Sequence, residues 1–179
     1  MTFTVHSPET APAGSREPMD RLTARVGFLP NLAATIACAP AAMVSFDAQQ
    51  GALRGTALTG AEREVVGVTV SLANTCAYSV AAHSVFAEAN GLPADVLAAL
   101  RAGRELPDAR LEALRAFTVA LLEHRGHLRP DGLDEATALE VIAQAAYTTM
   151  ANWAANVGGA PVDAAFARMA WSEPAAATG

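Results

Sequence analysis

Residues 59–83 read TGAEREVVGVTVSLANTCAYSVAAH, and whether this run is helix or strand decides the fold. Its middle holds Val65, Val66, Val68 and Val70. β-Branched residues suit a strand as well as a helix, so periodicity alone leaves both open. The start of the run favours helix. Thr59-Gly60-Ala61-Glu62 has the pattern of a capping box, in which the threonine oxygen takes an orphan N–H and the glutamate returns the favour. The run is also longer than an ordinary buried strand. Asn74-Thr75 breaks this helix and can cap a second, which runs from Cys76 to Asn90 and stops at Gly91. If the two helices fold back on each other at that break, Glu64 and His83 stand at similar heights, since each residue rises about 1.5 Å.

The rest of the chain is consistent with helices throughout. Its 179 residues suffice for one domain with a proper core. Hydrophobic residues make up 52%, much of it alanine, and aromatics only 6%. Alanine favours helix and disfavours strand, so the expected class is all-α. Residues 1–18, with Pro8, Pro12, Gly14 and Pro18, read as a flexible tail. A single helical domain is expected over 19–170 and a second tail over 171–179. Within the domain, helices are expected near Met19–Val26, Leu32–Cys38, Ala41–Leu53, Pro93–Ala102, Pro107–His124 and Asp134–Val157. Phe28, Phe46, Phe117, Tyr147, Met150 and Trp153 read as core or interface, and Asn152 and Asn156 as helix–helix hydrogen-bonding groups.

Composition excludes several function classes. A net charge of −6 and a pI near 5.1 argue against nucleic acid as a partner. No apolar run reaches the length of a membrane span, and residues 1–7 lack the basic start and apolar stretch of a secretory signal, so a cytoplasmic protein is expected. All twelve basic residues are arginine, which excludes Schiff-base chemistry and a Walker lysine. Cys38 and Cys76 are too few for a disulfide scaffold or a cysteine zinc site. His124 and His127 read as helix-end charges rather than metal ligands. Haem, nicotinamide and flavin patterns are absent, so neither cofactor nor metal is expected.

The chemistry-bearing residues converge on the second helix. Cys76, Ser79 and His83 fall at i, i+3 and i+7, within about 60° of one another on one face. First-turn N–H groups favour negative charge on the Cys76 sulfur, which is the setting of redox thiols; the plainer alternative is a small buried hydrophobe. Ser79 lies within hydrogen-bond reach of His83, which can take a proton from the serine or the thiol or can equally be a satisfied core histidine. Glu64 can orient the imidazole, act as a base itself, or simply complement its helix dipole. Tyr78 points away from Ser79, to a cavity mouth or a subunit contact.

The pattern Glu64, eleven intervening residues, Cys76-x-x-Ser79-x-x-x-His83 resembles the alkylhydroperoxidase D-like and carboxymuconolactone decarboxylase family. The peroxidase branch of that family has a second cysteine where Ser79 stands. Gly27-Phe28-Leu29-Pro30-Asn31, Pro40-Ala41 and the ending Asn152 to Phe166 extend the resemblance over roughly residues 25–168. It implies an alkylhydroperoxidase D-like helical bundle that forms homo-oligomers, with Glu64 and His83 as proton relay and Cys76 as the first, resolving cysteine. Ser79 replaces the cysteine that attacks peroxide, and a hydroxyl forms neither a sulfenic acid nor a disulfide. No spacing argument brings Cys38 near enough to substitute. Three readings follow. One is a peroxidase reducing peroxides through Cys76, with an outside thiol as reductant. Another is a non-redox acid/base enzyme using Glu64, Ser79 and His83 on a small organic acid, lactone or ester. The third is a small-molecule binder that has lost the chemistry.

Overall fold

The computed structural model describes residues 2–173. Among them are eight α-helices and no strand: α1 (Ala13–Val26), α2 (Asn31–Ile36), α3 (Pro40–Leu53), α4 (Gly60–Ala73), α5 (Ala77–Ala89), α6 (Ala94–Arg101), α7 (Ala109–Glu123) and α8 (Glu135–Gly158). A short 3₁₀ turn follows at Ala167–Met169. Among the described residues no helix is long and apolar enough to cross a membrane.

The helix α4 is the centre of the bundle. It packs on α5, α6, α7 and α8. Val65, Val66, Val68 and Val70 are all fully buried. A helix surrounded by others needs apolar residues on every face, which is why its pattern reads ambiguously in sequence. Burying each valine contributes about 1.5–3 kcal/mol, which outweighs the small helix-propensity cost of β-branching. The capping box forms as expected: Thr59 Oγ1 accepts from Glu62 N–H at 3.2 Å, and Thr59 N–H donates to Glu62 Oε2 at 2.7 Å.

Two corrections concern helix starts. Asn74 and Thr75 do not cap α5; Asn74 closes α4, Thr75 adopts a left-handed φ of 49°, and Cys76 itself is the N-cap of α5, without a side-chain cap bond. The span expected as a tail, 1–18, differs more. The helix α1 begins at Ala13 and accommodates Pro18 within it. Ser15 Oγ donates to the Ala37 carbonyl at 2.7 Å, Phe3 N–H to the Gly158 carbonyl at 2.8 Å and His6 N–H to the Ala34 carbonyl at 3.1 Å. Met19 and Leu22 are buried beside Met43 and Phe46. These long-range contacts override the prolines that suggested a break. At the other end, 171–173 have no regular structure, and the remainder of the expected C-terminal tail lies outside the described residues.

The segment after α8 is tied back firmly. The Asp163 carboxylate accepts from the Asn31 backbone N–H at 3.1 and 3.2 Å and from the Tyr78 hydroxyl at 2.5 Å. Tyr78 oxygen in turn accepts from Leu32 N–H at 3.3 Å. Burial and the bond to Asp163 push the Tyr78 phenol far above its ordinary range, so it stays a donor. Phe166 is thereby held edge-on against Tyr78 and Phe86, with centroids 6.0 and 5.5 Å away.

Glu62 also meets Arg110 of α7, whose Nε–H donates to its Oε1 at 2.8 Å. Burial alone would raise the Glu62 carboxyl, but Arg110 and the Thr59 bonds hold it below its ordinary value of 4.5. Its stabilising effect is therefore fully present above pH 4.5 and is lost as pH falls through the lowered folded value. Glu62→Gln should cost about 1–2 kcal/mol at neutral pH in urea denaturation. The variant should also show a shallower loss of stability on acidification than the parent protein.

Candidate active site

The turn between α4 and α5 is fixed from outside by α8. Buried Asn152 accepts from Asn74 Nδ2 at 3.0 Å and donates to Ser71 Oγ at 3.2 Å, while Asn156 Nδ2 donates to the Asn74 carbonyl at 3.0 Å. Cys76 N–H reaches back to the Ser71 carbonyl at 2.9 Å. This bracing sets the angle and register at which α5 returns along α4, and thus which side chains meet.

What meets is Glu64 and His83. His83 Nδ1–H donates to Glu64 Oε2 at 2.6 Å, and the two side chains keep only 12% and 14% of their surface exposed. With Nδ1 engaged by the carboxylate, Nε2 is the nitrogen left to exchange a proton with a ligand. Gly67, one turn after Glu64, makes the approach possible. A Cβ there would lie 2.5 Å from His83 Nδ1 and 2.7 Å from Cε1. Gly67 was not singled out in the sequence, although a glycine inside a valine-rich helix is the available signal of close approach.

Ser79 and Cys76 form the second pair. Cys76 Sγ–H donates to Ser79 Oγ across 3.4 Å. Their accessibility to a ligand differs. A cavity of about 510 Å³ opens beside α5, and Glu64, Ser79 and His83 all line it. Cys76 is fully buried and is not among its walls. Among the described residues no hydrogen bond joins Ser79 to His83, so the cavity, rather than a direct contact, is what they share. Cys38 is exposed, and both cysteines are free thiols.

The cavity is cut into the edge of the aromatic core expected from the sequence. Phe46 belongs to that core and Phe28 and Tyr147 pack against it, and all three are also walls of the cavity, as is Tyr78, expected at a cavity mouth or a subunit contact. Phe46 and Tyr147 stack with centroids 5.0 Å apart. Burial and the nearby Glu64 charge push the Tyr147 phenol well above its ordinary range. Gln144 of α8, also unremarked in the sequence, is buried and lines the same space. A second, more open depression of about 820 Å³ lies between α7 and α8, but Arg125 and Thr149 are its main polar walls and it holds no acid/base set. Among the described residues no three His, Cys, Asp or Glu side chains cluster as metal ligands.

Against known proteins, a model of the carboxymuconolactone decarboxylase family matches residues 33–122. A peroxidase-related protein from Ralstonia eutropha JMP134, with an alkylhydroperoxidase AhpD core, is 24% identical with a TM-score of 0.79, covering 92% of this chain and 93% of its own. The debrominase Bmp8, as a cysteine-to-alanine variant in complex with 2,3,4-tribromopyrrole, is 18% identical with a TM-score of 0.78, covering 94% and 96%. A peroxidase-related protein from Silicibacter sp. TM1040 is 18% identical with a TM-score of 0.75, covering 93% and 92%. At these identities the likeness is one of fold. No curated protein sequence matches the chain.

Replacing an interior helical glycine by alanine ordinarily stabilises by about 1 kcal/mol. Gly67→Ala should do the reverse, because the added methyl collides with the imidazole, and a net loss of about 1–3 kcal/mol is expected. Denaturation gives the sign, and a crystal structure of the variant should show His83 displaced from Glu64.

Proposed function

Because the chain belongs to the carboxymuconolactone decarboxylase family, we propose that it is an enzyme that moves a proton at a small, mostly apolar organic substrate held between α5 and α8. The observation that carries this reading is that the cavity touches Glu64, Ser79 and His83 but not Cys76. His83 Nε2 takes a proton from the substrate, and the imidazolium so formed is stabilised by the Glu64 carboxylate on its other nitrogen. Ser79 oxygen accepts from the Cys76 thiol, which leaves the serine O–H to donate to substrate oxygen as negative charge develops there. Returning the proton from His83 to another substrate atom completes the cycle, with no net oxidation. The tribromopyrrole bound by the debrominase of similar fold supports a small ring compound as a ligand size.

A second reading rests on the 3.4 Å contact between Cys76 Sγ and Ser79 Oγ, one layer behind the cavity wall. In it the chain is a one-cysteine peroxidase. The Cys76 thiolate attacks the near peroxide oxygen, the O–O bond breaks, and the alcohol leaves with a proton from His83. Two equivalents of an outside thiol then return the sulfenic acid to thiol, yielding a disulfide and water. This route needs Ser79 to move aside.

The family reading also carries association of several copies. An apolar strip on α8, with Leu139 65%, Trp153 61% and Val157 67% exposed, supports it. Sedimentation should give more than one chain per particle, and Trp153→Glu should lower that number.

Single substitutions separate the two chemistries. Under the proton-transfer reading, His83→Ala and Ser79→Ala lower turnover by about 10²–10⁴-fold while Cys76→Ala leaves it nearly intact. Under the peroxidase reading Cys76→Ala abolishes peroxide consumption, and dimedone labels Cys76 in the parent protein. Ser79→Cys, which restores a thiol at the cavity wall, should create dithiol peroxidase activity; unchanged peroxide consumption in a folded variant would count against the placement of Ser79 in the site.

A further inference from the structure

Two side-chain oxygens that α8 brings to the cavity have no partner among the described residues. Tyr147 makes no hydrogen bond through its hydroxyl; its ring is held by the stack on Phe46. Gln144 Nε2 donates to Thr148 Oγ1 at 3.1 Å, which leaves its Oε1 unused. No fully enclosed side-chain nitrogen or oxygen lacks a partner, so these two oxygens are open to accessible space, and both side chains line the cavity. They sit three residues apart on α8 and therefore on one face of it. One is an acceptor only. The other is a donor, because burial and the Glu64 charge keep the phenol protonated.

The remaining walls say what lies beside them. Of the chain's six phenylalanines, two tyrosines and two tryptophans, the cavity takes Phe28, Phe46, Phe86, Phe166, Tyr78 and Tyr147. A concentration of this kind, in a chain with 6% aromatics, favours a flat apolar ligand. Two of the three arginines on the wall are engaged by the protein itself. Arg25 is spent on Asp47 and Gln50, Arg63 on the Leu58 carbonyl, and Arg54 is exposed to solvent.

We propose that Gln144 and Tyr147 form a hydroxyl clamp, and that the cavity selects an uncharged, planar ring compound bearing one phenolic or enolic O–H. The Tyr147 hydroxyl donates to the ligand oxygen, and Gln144 Oε1 accepts the ligand's O–H. The ring lies among the aromatic walls. This deepens the proton-transfer reading and rests on it for turnover, but the clamp itself is tested by binding alone.

Equilibrium dialysis with 2-naphthol and naphthalene tests it. The parent protein should bind both, with 2-naphthol favoured by about tenfold or more, as expected for a buried hydroxyl paired on both sides. Tyr147→Phe should weaken 2-naphthol by about tenfold and leave naphthalene unchanged, which also shows that the cavity survives the substitution. Gln144→Leu should have the same selective effect. Dialysis reads no turnover, so failure of the dyad as a base is distinguishable from failure of the clamp. The proposal is overturned if neither compound binds, if 2-naphthol is not preferred, or if Tyr147→Phe weakens both equally or neither.

Discussion

The close approach of one side chain to a helix backbone governs this molecule. Where α5 passes α4, Gly67 presents no side chain, and the His83 ring lies in the space a methyl would fill. Only from that position does its Nδ1 reach Glu64, one turn earlier on α4. The dyad is thus a product of packing before it is one of chemistry. The asparagines of α8 that brace the Asn74 turn, and the wholly apolar valines that seat α4 among its neighbours, hold the approach in place. A carboxylate and an imidazole this far removed from water require each other, since either alone would be a buried polar group without its strongest partner.

That frame gives two adjacent residues different access. Ser79 and Cys76 are in contact, three residues apart, yet only the serine borders the cavity. Cys76, the N-cap residue of α5, is fully buried and belongs to the same core cluster as Leu32, Ala33 and Ala155. The sulfur touches Ser79 and does not border the cavity. Its hydrogen bond fills one lone pair of the serine oxygen, which orients the hydroxyl. A motif read as a redox pair with one sulfur replaced therefore behaves, in space, as a serine with a thiol behind it.

Much of this was legible in the sequence where the signals are local. The capping box, the break at Asn74-Thr75 and the counting of rises along two helices brought Glu64 and His83 together before any coordinates. The resemblance carried by the Glu64–Cys76–His83 spacing led to the same bundle and family. What stayed hidden depends on distant partners. Prolines near the start suggested a loose tail, but Ser15 and Phe3 are held by Ala37 and Gly158, and nothing in the local sequence encodes those bonds. The wall formed by Gln144 and Tyr147 comes from a helix far along the chain, and its residues look like any amphipathic core face. The sequence left Cys76 open between a redox thiol and a small buried hydrophobe, because spacing fixes the angle of a side chain on its helix and not what covers it.

The Asp163 tether makes the cavity a late event in folding. Its carboxylate closes on Tyr78 across 85 residues and on Asn31 across 132, and it brings Phe166 in as a wall. Closures of that span are entropically slow compared with forming the α4–α5 hairpin. The Glu64–His83 pair can thus assemble in a nascent bundle whose cavity is still missing a side, so a closed cavity reports completion of the native state more faithfully than helix content does.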